Sequence, residues 1–167
     1  MPKIRKQLSM YVPTYAAQDI EAVRKVVDPI QSSLIPAHIT LCREDELPEL
    51  SKLKDRLNKI PFKPLTLSFG KPEIFSGHGL LLNCIEGEYE FQRLREYVLD
   101  SKGIRNQKPH ITLAHPRNPK SAGNLVSGTS QLPEIIEITF PTIYLIEQEM
   151  GEPWHVLERY ELHSQAC

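Results

Sequence analysis

Two rhythms of apolar and polar residues alternate along this chain. Period-two alternation over residues 8–12 predicts an opening strand, and the spacing of Ile20, Val23, Val27 and Ile30 predicts a helix over about 18–28 that Pro29 ends. Residues 38–42 alternate again and read as a second strand. The acidic cluster Glu44-Asp45-Glu46 then suits the positive end of a helix over about 48–59, whose apolar stripe is Leu50, Leu53, Leu57 and Ile60. Strands follow at 65–69 and 80–85, separated by a turn containing His78. A third helix, about 89–100, presents Phe91, Leu94 and Val98 to a core, and another strand opens at His110. Gly123 and Gly128 weaken any helix over 120–131, and strands return at 135–140, 142–147 and 155–162.

Helix followed by strand thus occurs twice, and the same four residues mark both strands: His38-Ile39-Thr40-Leu41 and His110-Ile111-Thr112-Leu113. Side chains alternate across a strand, so His and Thr of each tetrad share one face while Ile and Leu share the other. Each tetrad is half reagent and half core. Chance would place a His-x-Thr in a chain of this composition about 0.25 times, before Ile and Leu must also match. The halves align further, because Leu67-Ser68-Phe69 begins 29 positions after His38 and Ile138-Thr139-Phe140 begins 28 after His110. Two copies are too few for a solenoid. The expected architecture is α+β: one duplicated, two-lobed domain over 1–167, with approximate repeats 14–86 and 87–162. Mainly antiparallel sheets, pseudo-twofold symmetry and a central cleft bearing both tetrad strands complete it.

Composition narrows the partners. The 167 residues carry a net charge of −1, which disfavours the broad basic surface that a DNA duplex or other long nucleic acid requires. Anion recognition must be local. Cys42, Cys84 and Cys167 lack metal-ligand spacing and are odd in number, which suits packing in a reducing, cytoplasmic setting. The short apolar stretch after Lys3, Arg5 and Lys6 suits neither a signal peptide nor a membrane span, and the chain is expected to act as a monomer.

Histidine exchanges protons near neutral pH, so two facing tetrads supply an acid and a base, with Thr40 and Thr112 as donors to phosphoryl oxygens. The scheme calls for no metal and no cofactor. Between Ser101 and Pro133 there is no Asp or Glu, while Lys102, Arg105, Lys108, Arg117 and Lys120 bracket His110. Lys108 shares the parity of His110 and is a candidate substrate contact with Arg117, whereas Arg43 has the parity of Ile39. Tyr11, Tyr15 and Trp154 are candidates for stacking on a base. His115 is by default a surface residue, since its spacing from His110 is not that of a helical metal pair.

Paired HxTx tetrads, each introduced by proline in Pro36-Ala37-His38 and Lys108-Pro109-His110, resemble the 2H phosphoesterase superfamily of 2′-5′ RNA ligase-like proteins and 2′,3′-cyclic phosphodiesterases. The resemblance spans almost the whole chain. It implies a bilobal fold and metal-independent chemistry on a nucleotide or an RNA terminal phosphodiester. His38 and His110 match the catalytic positions, and Thr40 and Thr112 match the phosphate-binding ones. By that analogy His110 activates water and His38 protonates the leaving sugar oxygen, although near symmetry permits the reverse. A 2′-5′ RNA ligase, another phosphodiesterase of the superfamily, or a non-catalytic nucleotide-binding or scaffold domain are the alternatives.

Overall fold

Both tetrads form strands whose bounds begin on the histidine, and both strands lie at a sheet edge. The computed structural model describes residues 3–77, 79–116 and 132–163. Its first half runs β1 (Ile4–Tyr11), α1 (Thr14–Val27), α2 (Pro29–Leu34), β2 (His38–Cys42), a 3-10 turn (Glu44–Glu46) and α3 (Leu50–Asn58). There follow β3 (Leu65–Phe75), β4 (Gly79–Glu86), α4 (Glu88–Leu99), β5 (His110–Ala114), β6 (Ile136–Phe140), β7 (Thr142–Glu149) and β8 (His155–Glu161). His78, Arg117, Cys167 and the segment 120–131 lie outside the described residues. Among the described residues no helix is long and apolar enough to cross a membrane.

Two four-stranded antiparallel sheets result, in the orders β2-β1-β7-β8 and β5-β4-β3-β6. Their positions correspond one to one: tetrad edge strand, inner strand paired with it, second inner strand, far edge. The α+β, two-lobed, pseudo-twofold expectation is what the chain adopts. The sheets do not, however, follow the chain's halves. The β2 sheet joins the first 42 residues to β7 and β8, and the β5 sheet takes β3 through β6. Leu67-Ser68-Phe69 and Ile138-Thr139-Phe140, which match in sequence, are hydrogen-bonded neighbours within one sheet, with Leu67 opposite Ile138.

The apolar half of each tetrad anchors its strand. Ile39, Leu41, Ile111 and Leu113 are fully buried, each burial contributing roughly 2 kcal/mol. Helix α1 packs near β5 and α4 near β2, so each lobe's helix lies close to the other lobe's tetrad strand. Ile20, Val23 and Val27 form the buried face of α1, and Phe91, Leu94 and Val98 that of α4.

Ile30 departs from its expected place: it is exposed, because the helix breaks at Asp28 and Pro29 begins α2. The fully buried Asp28 carboxylate caps α2 by accepting the N–H of Gln31 at 3.0 Å, and its other oxygen accepts the N–H of His115 at 2.9 Å. One carboxylate therefore ties α2 to the end of β5. Gly87, at φ 100°, precedes α4 where a Cβ would stand 2.5 Å from Leu67 and 2.7 Å from the Thr66 carbonyl.

Candidate active site

Because β2 and β5 are edge strands facing one another, the polar halves of both tetrads meet in the cleft. His38, Thr40, His110 and Thr112 line one cavity of about 210 Å³. The two imidazoles are held alike. His38 Nδ1 lies 2.8 Å from the Pro36 carbonyl and His110 Nδ1 lies 3.2 Å from the Lys108 carbonyl. A carbonyl can only accept, so each Nδ1 carries a proton, and a ring in its neutral form keeps its lone pair on Nε2. The prolines preceding both tetrads sit in these turns.

Two buried arginines, one from α1 and one from α4, brace the segment that carries the first tetrad. Arg24, on α1, donates through Nη2 to the Ile35 carbonyl at 2.8 Å and pairs with Glu21, whose other oxygen accepts the Ala37 N–H at 3.1 Å. Arg95, on α4, donates to the Leu41 carbonyl at 2.6 Å and the Arg105 carbonyl at 3.2 Å, and pairs with Glu46 at 2.7 Å. Gln107 completes this side by donating to the Thr40 carbonyl at 2.9 Å. The acidic cluster is thus not a dipole cap for α3: Glu46 anchors Arg95, Glu44 accepts the Lys6 N–H and Asp45 pairs with Arg43.

These surroundings set proton affinities. Removal from bulk water pushes His38 down to about 4, opposed by the Pro36 carbonyl and reinforced by the positive charges of Arg24 and His110. Burial alone would raise the Glu46 carboxyl, but hydrogen bonds from Arg95 and Arg43, with the charges of Arg95 and Arg105, hold it at about 2. Burial beside Tyr144 pushes the Tyr11 hydroxyl up to about 12.

The other expected contacts divide. Trp154 lines the cavity. Tyr11 does not, but its ring packs edge-on against His38, with centroids 6.4 Å apart. Lys108 has an exposed side chain outside the cavity lining, and contributes its carbonyl instead. Tyr15 lies elsewhere, accepting the Thr139 N–H at 2.9 Å. His115 corrects its surface assignment by lining the cavity, to which Asp28 holds its backbone. Arg5, Gln7, Gln31 and Gln148 also line it and have no local signature in the sequence. Pairing of β1 with β7 brings Arg5 opposite Gln148 across 143 positions of chain. Among the described residues no group of three or more His, Cys, Asp or Glu is placed to hold a metal ion.

Solved structures share this architecture. Escherichia coli LigT complexed with NADP+ superposes with a TM-score of 0.64 at 17% identity, covering 98% of this chain and 99% of that one. LigT complexed with 3′-AMP gives 0.65 at 15% identity, covering 96% and 99%. A crystal structure described as a phosphoesterase gives 0.64 at 16% identity, covering 98% and 100%. By sequence, no curated protein gives a significant match. The sequence profile of the 2′-5′ RNA ligase superfamily nevertheless matches residues 12–152, which include both tetrads and both bracing arginines, and the chain belongs to that superfamily.

Proposed function

We propose that the protein is a metal-independent phosphodiesterase that opens 2′,3′-cyclic phosphates of nucleotides or RNA ends. The observation that carries the reading is the convergence of His38, Thr40, His110 and Thr112 on one cavity, with both Nδ1 atoms occupied by backbone carbonyls. Neutral His110 takes a proton from water through Nε2 as the water oxygen attacks phosphorus. The bond from phosphorus to O3′ breaks, protonated His38 gives its Nε2 proton to that oxygen, and a 2′-phosphate results. Thr40 and Thr112 donate to the phosphoryl oxygens, where charge rearranges in the transition state.

This division of labour makes one demand. His38, whose neutral form its burial favours, must be protonated in the complex, and the negative charge of a bound phosphodiester favours that form. The nucleotide-bearing LigT structures, complexed with 3′-AMP and NADP+, support a nucleotide as the ligand class. The test is purified protein with EDTA and a panel of 2′,3′-cyclic nucleotides, with products resolved as 2′- or 3′-phosphates. Turnover to 2′-phosphates is expected. Tight binding without turnover of any cyclic nucleotide overturns the reading.

A further inference from the structure

The two walls of the cavity are unequal. Among the described residues, the β5 side contributes His110, Thr112 and His115, while β1, β7 and the approach to β8 contribute Arg5, Gln7, Gln148 and Trp154. Arg5 is the cationic side chain in that second wall, and it is mounted with care. Its Nε donates to Gln148 Oε1 at 2.8 Å, and Gln148, itself 3% exposed, donates to the Glu152 carbonyl at 2.8 Å and so cannot turn away. The guanidinium carbon stands 4.9 Å from the centre of the Trp154 ring. The Trp154 backbone is in turn tied to α2, its main-chain N–H donating to the Leu34 carbonyl at 2.8 Å.

A guanidinium steadied along its Nε edge and on its flat face is pre-organised, so gripping an anion costs little further ordering. Its planar fork suits phosphate oxygens better than a point charge would. Position matters as much. Thr40 lies opposite Ser9 on β1, and Arg5 is four residues further along that strand, about 13 Å at the backbone. Arg5 is thus mounted well along β1 from the tetrad pairing, while its side chain lines the same cavity. It also borders an adjoining groove of about 390 Å³ lined by Lys3, Gln7, Arg43, Glu44 and Asp45. The groove's carboxylates are engaged, Asp45 by Arg43 at 3.1 Å and Glu44 by the Lys6 N–H at 2.7 Å.

We infer that Arg5, set by Gln148 and Trp154, is a second phosphate subsite, and that the substrate is a nucleotide carrying a further phosphate beside the one on the tetrads. A 5′-phosphorylated nucleotide or an oligonucleotide end has that chemistry; a bare nucleoside cyclic phosphate does not. The inference rests on the tetrad cavity taking the reacting phosphodiester.

Trp154 is the chain's single tryptophan, so its fluorescence reads binding at this wall directly. Wild type, Arg5→Gln and Arg5→Lys are titrated with adenosine 2′-monophosphate and adenosine 2′,5′-bisphosphate at fixed ionic strength, with calorimetry as a second readout. Wild type is expected to bind the bisphosphate about tenfold more tightly, the effect of one charge-assisted hydrogen-bonded contact. Arg5→Gln removes that preference and Arg5→Lys restores part of it. Equal affinities for the two ligands in wild type, or the same preference in wild type and Arg5→Gln, overturn the inference. Turnover of 2′,3′-cyclic nucleotides is measured separately. A bisphosphate preference without turnover leaves the subsite standing and removes the catalytic reading, turnover without the preference does the reverse, and neither turnover nor preference overturns both.

Discussion

His38 and His110 occupy equivalent edge strands and are oriented by equivalent carbonyls, yet the lobes surround them differently. Across the strand pair, His38 faces Tyr11 and His110 faces Asn83. Tyr11 packs against the His38 ring and against Tyr144, an aromatic wall on that side of the imidazole. Asn83 instead donates to the exposed Glu73 at 2.8 Å. Symmetry therefore sets how the pair is aimed, and the unshared neighbours set how readily its first member holds a proton. Such a site can assign two unlike tasks to two copies of one motif.

The largest effect follows from the shared part of the design. His38→Ala and His110→Ala are each expected to lower kcat by about 10²- to 10⁴-fold, the usual worth of a positioned proton donor or acceptor. The double variant should fall little further than the weaker single one, because the pair acts as a unit. Full turnover by either single variant would break the equivalence of the tetrads.

The two bracing arginines sharpen a contrast between α1 and α4, which hold the first tetrad from either end. The Arg95 side chain is fully buried against Glu46, which is 13% exposed, and losing one partner of a buried pair costs about 3–5 kcal/mol. Arg24 is as deeply buried, but its partner Glu21 is 25% exposed and can be rehydrated. Arg95→Met should therefore lower the urea midpoint more than Arg24→Met. A larger loss in Arg24→Met would show that α1, not α4, carries the more costly brace.

Much of this was legible beforehand. The bounds of β2 and β5 coincide with the tetrads because alternation, a preceding proline and branched apolar residues all favour the same extended segments. The four central residues follow from strand parity alone. Arg24 and Arg95 were not legible as braces, since a lone arginine on an amphipathic helix reads as a solvated residue, and carbonyls distant in sequence decide otherwise. Neither was the Arg5 wall, which exists because β1 and β7 pair. Ile30 misled for a related reason: its spacing continued the apolar face, while the Asp28 side chain, capping α2 and held to His115, turned the backbone before it.

Acid unfolding tests the Arg95 brace from its other end. The Glu46 carboxyl is held at about 2 in the fold and titrates at about its ordinary value in the unfolded chain. Its folded pKa is depressed, so its contribution is complete above the unfolded value and is lost as pH falls toward 2, on the order of 3 kcal/mol in all. Urea unfolding between pH 6 and pH 3 should show more than half of this loss, and Glu46→Gln should flatten it. An unchanged acid dependence in Glu46→Gln would place the sensitive carboxylate elsewhere.

The smallest effect bears most directly on the mechanism. Burial holds His38 in its neutral form down to about pH 4, below the ordinary imidazole value of 6.5. Because the unfolded chain binds that proton first, the stability this neutral ring lends is present above pH 6.5 and lost as pH falls toward 4. Imidazole resonances followed by NMR should place His38 there, and His110→Ala should raise it by less than about one unit by removing a nearby positive charge. Arg24→Met should act in the same direction, and bound inorganic phosphate should raise it further than either. The last comparison decides the roles. If phosphate draws His38 toward the physiological range, His38 can be the acid and His110 the base; if His38 stays neutral beside the anion, it is the base, and the proton for the leaving oxygen comes from His110.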